Sequence, residues 1–226
     1  MGLINAKGNE INFEGKVDLK KVFIRLKENQ AIKVRVLGLT DYVEYKAHSD
    51  FGNKVYTQPC IEPLDKECPL CVASKSGVEG FDGLYVKKRY LFALGDLETG
   101  EIRVWDCSKS QAKSLIAQIK DYADDIGETA FNFKRTGNKT ETSYTLNPIL
   151  KLKGEDKEKF SKFDGVEVSD SFFESVLQPR PEQIMLEVLD DAGFPMQDYF
   201  PTYRRSEPTP AQGGQATDGG DDLIIM

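Results

Sequence analysis

The chain has 226 residues, of which 39% are hydrophobic and 30% charged, enough to bury a core and without any apolar run of membrane-spanning length. The N-terminal stretch MGLINAKGNEINFEG has neither the basic region nor the apolar run of a signal peptide, so a cytoplasmic protein with no membrane partner is expected. The formal charge is −7, but it is unevenly spread: Lys20 to Lys151 holds 21 Lys and Arg against 18 Asp and Glu, whereas Glu155 to Asp198 holds 4 against 12. The acidic total therefore conceals a mildly basic front.

Residues 1–19, rich in Gly, Asn and Lys, read as a weakly ordered N-terminal arm. From there to about residue 153 the pattern is mainly strand-like. Polar and apolar residues alternate in Lys33-Val34-Arg35-Val36, Gly100-Glu101-Ile102-Arg103-Val104 and Asn132-Phe133-Lys134, as in half-buried strands. Two hairpins are predicted, 86–95 with 101–106 around a turn ending in Gly100, and 129–135 with 141–149 around Gly137.

Between the hairpins, Ala112, Leu115, Ile116, Ile119, Tyr122, Ala123 and Ile126 recur at helical spacing. Ser108 or Ser110 can cap this helix and Gly127 can end it. Strands, then a helix, then a final hairpin is the order of a five-stranded Greek-key barrel, the OB-fold.

Short acidic helices follow over 154–203, at 155–163, 169–177 and 181–192, with Ser169 as a cap, Pro181 in a first turn and Gly193 as a terminator. Residues 204–226 read as a disordered linker and tail, SEPTPAQGGQATDGG followed by Asp221, Asp222, Leu223, Ile224, Ile225 and Met226. The expected class is mainly β with appended acidic helices.

Cys68 and Cys71 lie in KECPLCVAS. A redox pair would need a surrounding βαβ unit, which the pattern lacks. A metal site needs two further ligands nearby, and Cys60 and His48, the single histidine, supply them. Three thiolates and one imidazole fill a tetrahedral shell with no open position, the mark of one structural Zn2+. Few large apolar groups lie between residues 48 and 85, so metal binding would supply folding free energy to an inserted zinc subdomain at about 46–84. In an alternative ligand set Cys107 replaces His48.

The run Ala31-Ile-Lys-Val-Arg-Val-Leu37, then His48, Phe51-Gly-Asn-Lys-Val-Tyr56, Cys60, Cys68-Pro-Leu-Cys71, Tyr85-Val-Lys-Lys-Arg-Tyr90 and Gly100-Glu-Ile-Arg-Val-Trp105 resembles the T-even-phage family of single-stranded DNA-binding, or helix-destabilising, proteins. The likeness covers about residues 20–150. It implies an OB-fold with an inserted zinc subdomain that binds single-stranded DNA cooperatively and without sequence preference in replication, recombination and repair. It also implies His48, Cys60, Cys68 and Cys71 as zinc ligands and residues 87–92 as DNA-contacting, and a phage-encoded member would work in the bacterial host cytoplasm. The family's arm carries a basic, hydroxyl-rich motif for self-association on DNA. Here the stretch before Asp18 has only Lys7 and Lys16 and no Ser or Thr, a departure from that pattern.

Binding single strands without reading sequence requires positive charge for phosphates and flat rings for bases. Candidates are Lys33 and Arg35 on one strand, Lys87, Lys88 and Arg89 before Tyr90 and Phe92, Arg103 beside Trp105, and Lys134 with Arg135. Alternation with Val104 turns Trp105 outward in this reading.

The tail, two acids before four apolar residues, reads as a site for replication and recombination partners such as a polymerase, a helicase or its loader, or a recombinase mediator. It is also a competitor for the basic groove. No catalytic constellation is present: the one histidine is committed to zinc, and the pairs Asp124-Asp125 and Asp190-Asp191 lack a partnered lysine. The competing expectation is a zinc-ribbon adaptor that contacts replication proteins without touching DNA.

Overall fold

A computed structural model describes residues 18–206. The expectations for residues 1–17 and for 207–226, which include Asp221, Asp222, Leu223, Ile224, Ile225 and Met226, lie outside the described residues. The element order is α1 (Leu19–Val22), β1 (Ala31–Val36), β2 (Tyr42–Asp50), β3 (Val55–Pro59), α2 (Pro69–Lys75), β4 (Lys87–Asp96), β5 (Glu101–Ser108), α3 (Lys109–Asp121), β6 (Ala130–Thr136), β7 (Ser143–Ile149), α4 (Glu155–Ser161), α5 (Asp170–Val176), α6 (Glu182–Asp191) and α7 (Met196–Tyr199). The strands form a seven-stranded antiparallel sheet in the order β3-β2-β4-β1-β6-β7, with β5 paired to β4. No described helix is long and apolar enough to cross a membrane.

The chain divides into two compact units, one of residues up to Tyr45 with Arg89–Gln178, the other of Lys46–Lys88 with the residues from Pro179 onward. In the first unit both predicted hairpins form. β4 and β5 pair from Arg89↔Ser108 to Asp96↔Glu101, and β6 and β7 from Ala130↔Ile149 to Thr136↔Ser143. Helix α3 begins with a capping box between Ser108 and Gln111 and buries Ala112, Leu115 and Ile119. These pack with Val34, Phe92, Trp105, Phe131 and Phe133 in one core, the amphipathic stripe the spacing predicts.

The sheet does not close into a hydrogen-bonded barrel. β5 pairs only with β4. Its other edge is taken by the segment after α1, where Phe23 forms a parallel bridge with Val104 and the Ile24 N–H donates to the Val104 carbonyl at 2.7 Å. Toward β7 the contact is made by side chains, with the Trp105 and Tyr144 rings 4.6 Å apart.

Helices α4 and α5 belong to the first unit, and α6 and α7 to the second. The acidic region 154–203 is thus shared between two cores. After α4, Phe163 lies so close to Gly95 of β4 that a Cβ there would sit 2.8 Å from the ring, so only glycine allows this packing. In the second unit, α6 buries Met185, Leu186 and Leu189, and Gly193 ends the turn beyond it at φ +83°. These side chains pack with Val55, Leu70, Phe81, Leu84, Phe194 and Met196. Loop 46–84 therefore has an apolar core after all, and part of it, from Met185 to Tyr203, arrives from about a hundred residues downstream.

Candidate functional site

Each of the four expected metal ligands is placed by a different local device. His48 is on β2, where it faces Gln58 across the ladder to β3. Cys60 directly follows β3, held by its N–H donating to the Lys46 carbonyl at 2.9 Å. Cys68 is the N-cap of α2, Pro69 opens that helix, and Cys71 lies in its first turn. A Cys-Pro-x-Cys run at a helix start places both thiols at the same end, because the fixed φ of proline suits the first helical position.

All four side chains are buried, and their ligand atoms lie within 4.8 Å of one another. Cys60 and Cys71 Sγ are 3.6 Å apart, and His48 Nε2 is 3.5 Å from Cys68 Sγ and 3.4 Å from Cys71 Sγ. Tetrahedral bonds of about 2.3 Å to sulfur and 2.1 Å to nitrogen require S···S near 3.8 Å and N···S near 3.6 Å. The group thus has the dimensions of a four-coordinate site. A carbonyl can only accept, so the 2.6 Å contact between His48 Nδ1 and the Leu84 carbonyl puts the proton on Nδ1 and leaves the Nε2 lone pair for a metal.

The charges lead to the same conclusion. Burial pushes the Cys60 and Cys71 thiols up. Burial also opposes ionisation of Cys68, but hydrogen bonds with His48 and with the backbone at Ile61 and Cys71 outweigh it and bring that thiol down to about 6. Three thiolates this close repel one another unless a cation lies among them. These four residues form a candidate structural metal site. Cys107 does not join them: it is buried in the core of the first unit with Trp105 and Phe131, so the ligand set containing Cys107 is excluded.

The predicted nucleic-acid residues fare differently. Trp105 is 2% exposed, not outward-facing. Its ring packs against Phe92, Phe133 and Tyr144. Val104 and Trp105, on opposite faces of β5, are both buried, 0% and 2% exposed, so alternation cannot separate inside from outside here. Phe92 is likewise core, and its ring stacks on the half-buried Tyr42. Tyr90 is half-buried and donates its hydroxyl proton to Glu44.

Most of the basic candidates have partners within the protein. Lys33 pairs with Asp156, Arg89 with Asp106, and Arg103 with Asp96. Arg35 is buried, and its guanidinium donates to Asp164 and to the carbonyls of Phe160 and Gly127. Lys87 donates to the carbonyls of Ser49 and Gly83, and Arg135 to that of Leu26. Lys88 is exposed and Lys134 half-buried.

Sequence reading missed two exposed rings in the second unit, Phe51 at 64% and Tyr85 at 59%. Phe51 tips the β2–β3 hairpin and meets Tyr56 edge-on at 6.1 Å, and the Lys87 ammonium lies 4.8 Å over the Tyr85 ring. Asn53 Nδ2 ties this hairpin to the next loop through the Gly80 carbonyl at 2.7 Å, and Lys54 and Lys88 are exposed on these same segments. Turn residues Gly52 and Asn53 beside Phe51 were the available signal. No protein-family model matches this chain, and no curated protein is similar to it.

Proposed function

We propose that the protein binds single-stranded DNA without reading its sequence, on an OB-type β core with a zinc-braced insertion. The observation that carries this reading is the pair of exposed rings, Phe51 and Tyr85, set among Lys54, Lys87 and Lys88 on loops next to the metal ligands. Phe51 follows His48 by three residues, and Tyr85 adjoins Leu84, the residue that orients the His48 ring. Large rings left in water beside ammonium groups suit bases that stack and phosphates that need counter-charge. The strand, helix and hairpin order of β1, β4, β5, α3, β6 and β7 supports the OB assignment, and the three-sulfur, one-nitrogen donor set supports zinc over harder ions. In this reading the segment from Asp221 to Met226 recruits replication and recombination proteins, and no residue is catalytic.

The zinc-ribbon adaptor remains a second reading, favoured by one observation: Lys33, Arg35, Arg89 and Arg103 are neutralised internally. Retardation of poly(dT) in a gel separates the two. The DNA-binding reading expects tight, salt-sensitive retardation with weak dependence on base composition, and no retardation at low salt would leave the adaptor.

A further inference from the structure

Lys87, the first residue of β4, is half-buried, and its ammonium is engaged within the protein. Nζ donates to the carbonyls of Ser49 and Gly83 at 2.5 and 3.1 Å, with the Ser49 hydroxyl at 3.5 Å. Three acceptors match the three protons of an ammonium, so no donor is left over for a phosphate. The same nitrogen lies 4.8 Å over the Tyr85 ring, within the range of a cation–π contact.

The acceptors sit beneath the two exposed rings. Ser49 precedes Phe51 by two residues at the start of the β2–β3 hairpin, and Gly83 precedes Tyr85 by two on the loop before β4. One ammonium thus joins the two segments that carry the rings. Asn53 adds a second tie, from Nδ2 to the Gly80 carbonyl at 2.7 Å. Asp50 fills the space between the segments: its carboxylate accepts from the backbone N–H groups of Gly52 and Asn53 and from Asn53 Nδ2, and a Cβ on Gly83 would sit 2.6 Å from its Oδ2. Rings that are 64% and 59% exposed are held by the backbone beneath them more than by packing, so these ties set where the rings stand.

We propose that Lys87 is a positioning residue of the nucleic-acid site: it clasps the two loops so that Phe51 and Tyr85 are already placed for bases before a strand arrives, and it makes no phosphate contact. Placing the rings in advance lowers the ordering cost of binding. The inference rests on the DNA-binding reading and changes the role that the basic run 87–89 suggests for its first member.

A double-variant cycle with oligo(dT) separates positioning from charge. Lys87→Met, which keeps an apolar stem and loses the donors, is measured alone and combined with Phe51→Ala/Tyr85→Ala. With the rings present, it is expected to weaken binding about fivefold or more, the lower end of the effect of one stacked base. With the rings absent, it is expected to change affinity by no more than about twofold, the scatter of independent sites. The same loss with and without the rings, or a salt slope smaller by about 0.7, would overturn the proposal by making Lys87 a phosphate contact. Unchanged affinity with the rings present would overturn it too. A melting profile like the parent's shows that the loss is not unfolding. If the profile differs, Lys87→Arg, which keeps the charge but presents a planar fork in place of a compact ammonium, takes its place in the cycle with the same expectations. No binding by the parent at low salt would remove the DNA-binding reading and this inference with it, whereas binding by the parent with additive losses would remove this inference alone.

Discussion

His48 Nδ1 lies 2.6 Å from the carbonyl oxygen of Leu84, so the loop before β4 sets the tautomer of a candidate metal ligand on β2. Removing the metal, or the ring with His48→Ala, should take away more than one contact. Structural zinc contributes on the order of 10 kcal/mol to small domains, comparable to the whole stability of a typical one. One zinc per chain is expected by elemental analysis, with Co2+ giving a tetrahedral thiolate spectrum in its place. After chelation or in His48→Ala, the thermal transition of the second unit should be lost. A melting profile unchanged by chelation would contradict a structural metal.

Alkylation by iodoacetamide should distinguish the four thiols. In the metal-loaded protein none is expected to react quickly. After chelation, which should unfold the second unit, Cys60, Cys68 and Cys71 should label first, while Cys107 stays protected in the core of the first unit. Mass spectrometry of peptides reads the order, and early labelling of Cys107 would contradict its placement.

Trp105→Ala should behave as a core deletion. With the ring packed among Phe92, Phe133 and Tyr144, a loss of about 3–5 kcal/mol in urea denaturation is expected. Normal stability combined with weakened DNA binding would restore Trp105 as an exposed stacking residue.

Arg35 joins β1 to α4 and to the turn after α3, and its guanidinium lies 4.2 Å over the Phe160 ring. Arg35→Ala should cost about 2–3 kcal/mol in the same assay, less than a fully buried pair because Asp164 remains 66% exposed and solvated. Arg35→Lys should recover little of this, since one ammonium cannot reach three acceptors in a fixed fork. Full stability of Arg35→Ala would show that these contacts contribute nothing net.

The hairpins, α3 and the grouping of the four candidate metal ligands were legible in the sequence because each carries its signal within a few residues: Gly100 and Gly137 in turns, Ser108 and Gln111 in a capping box, Cys-Pro-x-Cys at a helix start. Long-range partners were not legible. Nothing near residue 60 indicates that Met185 and Leu189 complete its core, and nothing near Arg35 indicates that Asp164 offsets its charge. Trp105 failed for a related reason. Alternation reports sidedness only where one face of a strand meets water, and β5 at this point meets protein on both.

The central claim is most directly tested by fluorescence titration of oligo(dT) over a series of salt concentrations, with the parent chain and Phe51→Ala/Tyr85→Ala. The parent is expected to bind with log K falling linearly with log salt, at a slope of about −0.7 per phosphate contacted. The double variant should keep that slope and lose about 1–3 kcal/mol for each ring that stacks on a base. No binding by the parent at low salt, or equal affinity of parent and variant, would contradict the account.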